Sequence, residues 1–262
     1  MAMLPSIDPL FSLSGFIVGL LIGQTGMGGG SLMTPILVLF FNVHPATAVG
    51  TDLLYASITK MVGTIVHGLN HTIDWRMMKR LAAGSVPATI LTLVVIAHTD
   101  LSSPTGGRII SFSLGVMLLL TAVTLVFRRT FLGWAGGRMA RIPPATVGLL
   151  TIGIGVILGV LVTLSSVGAG ALGVTFLLLL YPNLPMALIV GTDIAHAVPL
   201  TLIGGVGHWW LGSVDGPLLV SLLSGSIPGI MLGSYLSARI PDRVLRPILA
   251  CTLIFVGGRL VM

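Results

Sequence analysis

Apolar residues in this 262-residue chain run in long stretches instead of alternating with polar ones. Those at 105–127, 145–164 and 217–236 are each about 20 residues or longer, enough at 1.5 Å per residue to cross a ~30 Å hydrocarbon layer. Read between its glycine, proline and charged breaks, the pattern predicts five helical segments per half. They are 8–24, 31–43, 45–69, 75–98 and 105–127, then 145–164, 171–182, 185–210, 216–238 and 243–262. Segments 31–43 and 171–182 are too short to span comfortably; they either re-enter or form half-helices with the segment before them. The expectation is an all-α integral membrane protein with about 8–10 transmembrane or half-membrane helices.

Composition agrees. The chain is 55% hydrophobic and only 8% charged, with a mean hydropathy of +1.08. A soluble domain carries about a quarter charged residues, so a cytosolic enzyme, a secreted disulfide scaffold and a disordered tail are excluded. The formal charge of +6 does not point to nucleic acid, because nearly all the Lys and Arg sit in short loops between apolar runs. The lone Cys251 leaves no intramolecular disulfide and no multi-cysteine metal or redox site, and no cofactor or metal is expected. The first apolar stretch, 10–23, has no basic start and runs on into further segments, so it is expected to be retained.

The two halves repeat. Sliding the sequence by 141 positions places Gly50-Thr51-Asp52 on Gly191-Thr192-Asp193, His67 on His208, Asp74 on Asp215 and Gly84-Ser85-Val86-Pro87 on Gly225-Ser226-Ile227-Pro228. Gly29 and Thr34 fall on Gly170 and Thr175. Apolar matches come cheaply in such a composition; rare polar residues holding register for about 60 positions do not. The predicted organisation is a repeat over 1–127, a linker over 128–144 and a second repeat over 145–262.

Charge then sets orientation. Regions 70–80, 128–144 and 239–246 hold ten of the thirteen basic residues, which predicts that all three are cytoplasmic. Their repeat mates are poor in basic residues: 211–217 carries Asp215 alone, and 99–104 carries Asp100. Equivalent loops therefore fall on opposite sides, as expected for an inverted-topology repeat of two five-segment halves. Secondary transporters recurrently use that plan, with substrate near the midplane and broken helices supplying the ligands.

Two breaks interrupt the apolar pattern at membrane depth. The first is Gln24-Thr25-Gly26-Met27-Gly28-Gly29-Gly30; its mate is Ser165-Ser166-Val167-Gly168-Ala169-Gly170. Unpaired amides in hydrocarbon cost several kcal/mol, so such breaks occur where they are buried in protein or line a polar cavity. Exposed N–H groups and the positive start of the following helix suit an anion. Close helix packing by small residues is the competing explanation.

The same residues carry a resemblance. Gly28-Gly29-Gly30, then Pro35, then Ala46-Thr47-Ala48-Val49-Gly50-Thr51-Asp52 resembles the TauE/SafE family of sulfite and organosulfonate exporters, and Gly168-Ala169-Gly170 with Ala187 and Gly191-Thr192-Asp193 resembles its degenerate second motif. The resemblance spans almost the whole chain and departs at Phe176, the mate of Pro35. It implies export of a small sulfur oxyanion, such as sulfite or sulfoacetate.

Asp52 and Asp193 are repeat mates and the carboxylates placed well inside spans of a chain without glutamate. A charge at that depth costs about 2.5 kcal/mol or more, which favours function; they either relay protons or cap helices that start near Thr51 and Thr192. Lys60, whose mate is Thr201, lies about 15 Å below the basic loop. It could neutralise the anion, pair with Asp52, or alternate between the two. His196 shares a face with Asp193 and is a candidate proton or anion partner; His67 and His208 read as interfacial anchors, and Trp209 and Trp210 as an aromatic belt.

The combined expectation is a non-enzymatic secondary transporter working by alternating access, coupled to protons and embedded in the lipid bilayer, with homodimerisation left open. Its expected substrate ligands are Gln24, Thr25, Gly26, Gly28, Gly29, Gly30, Lys60, Ser165, Ser166, Gly168 and Gly170. Asp52, Asp193 and His196 would couple ions. A passive anion channel using the same cage is the alternative. An intramembrane hydrolase acting through Ser165 and His196 is disfavoured, because no third orienting group is apparent.

Overall fold

The computed structural model describes residues 8–25, 30–99, 104–139, 142–236 and 242–261, which form ten α-helices. In chain order these are α1 (Pro9–Thr25), α2 (Gly30–Leu39), α3 (Pro45–Leu69), α4 (Trp75–Ala97), α5 (Pro104–Met139), α6 (Pro144–Ser165), α7 (Ala171–Leu180), α8 (Met186–Trp210), α9 (Gly216–Leu236) and α10 (Asp242–Val261). The helices follow the predicted segments closely, with one correction. Most of the expected 128–144 linker is a continuation of α5, because no proline interrupts the chain before Pro143, which then caps α6. The two short segments are separate 10-residue helices, α2 and α7, each about 15 Å long and so half a bilayer in length.

Among the described residues, four helices are long and apolar enough by themselves to cross a membrane: α4, the Gly106–Phe127 part of α5, α6 and α8. The surface is the inverse of a soluble protein's. Ile65, Phe112, Leu149, Met231 and Phe255 lie more than half exposed, while Thr34, Asp52, Lys60, Asp193 and His196 are buried. Large apolar side chains facing outward around a polar interior are what lipid as solvent selects. This is a multi-pass, all-helical membrane protein.

The principal helix pairings all join one half to the other. α1 packs on α9 and α4 on α6, while α3 packs on α8 and α5 on α10. Since α1 and α6 are mates, and α4 and α9 are mates, the first two pairings are reciprocal. Small residues permit them: a β-carbon on Gly15 or Gly19 would overlap the α9 backbone at Leu222 or Ser226, and one on Gly155 or Gly159 would overlap α4 at Leu81 or Ser85.

A second reciprocal lock holds the long central helices. Thr51 on α3 accepts the Asp215 N–H at 3.1 Å, and Thr192 on α8 accepts the Asp74 N–H at 2.9 Å. Each aspartate in turn caps the helix it precedes: the Asp74 carboxylate accepts from the N–H groups of Arg76 and Met77, and that of Asp215 from Leu218. The residues match at the 141-position offset, so the same local chemistry is used twice.

Candidate functional site

The site is built where α3 and α8 meet the break between α6 and α7. α6 ends at Ser165, and Ser166 then turns left-handed with φ 57°. Gly168 and Gly170 follow at φ 119° and 125°, conformations that L side chains rarely adopt. α7 restarts immediately afterwards at Ala171. The Ser165 hydroxyl holds this turn together, donating to the Leu161 carbonyl at 2.7 Å and accepting from the Val167 N–H at 3.2 Å. The Ser166 hydroxyl is buried without a hydrogen bond and lies beside the Asp52 carboxylate.

Lys60, 6% exposed, extends from α3 into the break and donates to the Ala169 carbonyl at 3.0 Å. Its ammonium also lies in the field of the Asp193 and Asp52 carboxylates. One cation thus lies within electrostatic reach of two buried acids and is bonded to a carbonyl of the break.

Asp52 and Asp193 are fully buried. The helices that carry them begin at Pro45 and Met186, so both acids lie about two turns inside, and neither caps its own helix. That removes the capping explanation as framed from sequence, which assumed helix starts near Thr51 and Thr192. The acids instead face the short helices. Thr34 on α2 donates to Asp52 Oδ2 at 2.5 Å, leaving Oδ1 without a partner. Asp193 faces the Gly170 N–H with neither oxygen in a closed hydrogen bond. Its carboxylate reaches α7 through Oδ1, where a β-carbon on Gly173 would collide with it. Gly173 therefore creates the space that Asp193 fills.

His196, one turn beyond Asp193, shares a 2.9 Å hydrogen bond through Nε2 with Ser85 Oγ, and its Nδ1 is buried without a partner. Ser165 and His196 do not pair: the serine hydroxyl is taken up by its own turn and the imidazole by Ser85. The histidines near the helix ends are anchors. His67 Nδ1 bonds Thr72 Oγ1 at 2.8 Å, and His208 Nε2 bonds the Thr163 carbonyl at 3.0 Å.

Of the residues expected from sequence, the structure gathers Lys60, Asp52, Asp193, His196, Ser166, Gly168 and Gly170 about this break. Gln24 and Thr25 end α1 and Gly30 begins α2; their side-chain surroundings, and all of Gly26, Gly28 and Gly29, lie outside the described residues. Five participants had no site role in the sequence reading: Thr34, Ser85 and Ser226, noted there only as repeat-matched positions, and Tyr55 and Gly173. Tyr55 and Ser226 are the repeat mates of His196 and Ser85 and lie together, fully buried and each without a hydrogen bond. The 141-position offset could have flagged that pair. Gly173 has Leu32 as its mate, so no repeat signal existed for it.

Two interlocked sets of apolar helices enclosing a buried cation, two acids and a broken helix define a polytopic membrane transporter. A family model described as "Sulfite exporter TauE/SafE" matches residues 11–260, and the chain belongs to that family. It is 39% identical over 251 residues to "Probable membrane transporter protein YjnA" of Bacillus subtilis (strain 168), covering 95% of this chain and 98% of the relative. It is 26% identical over 212 residues to "Probable membrane transporter protein YdhB" of the same organism, covering 80% and 82% of the two chains. No solved structure matches the chain significantly.

Proposed function

We propose that the protein exports a small sulfur oxyanion, sulfite or an organosulfonate such as sulfoacetate, across the bacterial inner membrane. It does so by alternating access between two inverted five-helix halves. The observation that carries this reading is Lys60, buried, donating to the Ala169 carbonyl within the helix break and flanked by Asp52 and Asp193. A buried ammonium next to glycine-rich backbone and a helix start can hold an oxyanion by charge and by N–H donation. Ser166, Gly168 and Gly170 shape that cage. One or both acids couple the anion to protons, and His196 orients or assists them.

The reciprocal pairing of α1 with α9 and α4 with α6 supports two equivalent halves able to exchange roles, and the family description supports the substrate class. The basic regions 70–80, 128–144 and 239–246 face the cytoplasm in this reading. The test is anion-driven current on solid-supported proteoliposomes with sulfite, sulfoacetate, sulfolactate and sulfate at two pH values. Saturable flux responding to an imposed proton gradient is expected. Flux insensitive to that gradient would instead indicate a passive anion channel, and no response to any of these anions would remove the substrate assignment.

A further inference from the structure

The two acids of the site are sequence mates but not structural equivalents. Asp52 is engaged by the Thr34 hydroxyl. Asp193, fully buried, has both oxygens unpartnered, yet it rests on the first turn of α7 in the hollow left by Gly173, before the Gly170 N–H and within the field of Lys60. Those are the donors an incoming oxyanion needs. Resting on the transport-site reading above, we infer that Asp193 is a tethered anion occupying the substrate's own position, and that substrate enters only as Asp193 takes up a proton.

Two anions cannot share one helix end and one ammonium, since like charges at contact repel strongly in a buried site. Binding therefore moves one proton from solvent onto an Asp193 carboxylate oxygen, and release returns it. Few other groups compete for that proton. α3 contributes Lys60 and Asp52, and α8 contributes His196; α6 and α7 carry no ionisable side chain. α4 presents the Ser85 hydroxyl to His196, while its ionisable residues Arg76, Lys79 and Arg80 lie in its first two turns. The empty carrier returns with ionised Asp193 in the cradle, and the loaded carrier moves with a neutral Asp193 plus the anion. Each anion is then carried together with one proton, so a dianion such as sulfoacetate moves with one net negative charge and a monoanion with none.

The experiment is titration calorimetry of the full-length protein in nanodiscs with sulfoacetate, whose own charge is constant between about pH 6 and 8, in buffers of different ionisation enthalpy. The expected result is uptake of one proton per anion above the pH at which Asp193 ionises, and affinity falling about tenfold per pH unit there. Asp193→Asn is expected to bind at least as tightly as wild type, with no proton uptake and no pH slope. Wild-type binding without proton uptake, or a folded Asp193→Asn protein that no longer binds, would overturn the tethered-anion inference while leaving the transport site standing. If Asp193→Asn fails to fold, the proton count on the unmodified protein decides alone. A wild type that binds none of the sulfur anions at any pH overturns both readings.

Discussion

Replacing Lys60 by methionine separates charge from packing, because the two side chains have similar length and an apolar stem. The structural cost has two opposing parts. Loss of the 3.0 Å bond leaves the Ala169 carbonyl unpaired, a penalty of about 1–3 kcal/mol for a buried group. Against that, an ammonium only 6% exposed no longer has to be desolvated, which commonly offsets a loss of this size. Asp52 and Asp193 lose the cation whose field they share. Stability in detergent should therefore change by no more than about 2 kcal/mol in either direction. An oxyanion bound in the break loses a charge-assisted hydrogen bond worth about 1.5–3 kcal/mol, a factor of roughly 10–150 in affinity. Thermal unfolding and sulfite or sulfoacetate titration on the same purified sample give both quantities. A folded Lys60→Met protein with unchanged anion affinity would show that Lys60 serves the fold alone.

Other outcomes follow from the same geometry. Thr51→Val and Thr192→Val each orphan one backbone N–H, of Asp215 and Asp74 respectively, and should destabilise by similar amounts of about 1–3 kcal/mol, read as a lowered melting temperature in detergent; strongly unequal losses would contradict equivalent locks. Gly84→Leu and Gly225→Leu drive side chains into the backbones of α6 and α1, and both should reduce folded yield on size-exclusion chromatography, whereas leucine at Gly153, which has no neighbour within 4 Å, should not. Gly168→Val places a β-branched residue at φ 119° beside Lys60's anchor and should abolish flux in proteoliposomes with protein still inserted; normal flux would dismiss the cage. Tyr55→Phe removes a buried hydroxyl that has no partner, so the unliganded protein should keep or gain stability, and a clear loss of melting temperature would mean that the hydroxyl is bonded after all.

The amino-acid sequence by itself determined the membrane class and the helical segments and pointed to a repeat, since each rests on local quantities: run length, breakers, and polar residues spaced along one chain. It also singled out Asp52, Asp193 and Lys60, because a charge within an apolar run is costly wherever the run is packed. It did not show that 128–139 is helical, because charge clustering suggested a loop while nothing prevented helix propagation. Only the tertiary structure decided which half each helix joins, and so which polar groups meet. Gly173 shows why: its meaning lies in a carboxylate twenty residues away on another helix, and a missing side chain leaves no mark in periodicity. The same holds for the asymmetry of the acids. Asp52 and Asp193 sit in matching Gly-Thr-Asp motifs, yet one is held by Thr34 and the other lies free over a helix start, a difference set by packing between segments that no spacing along the chain encodes.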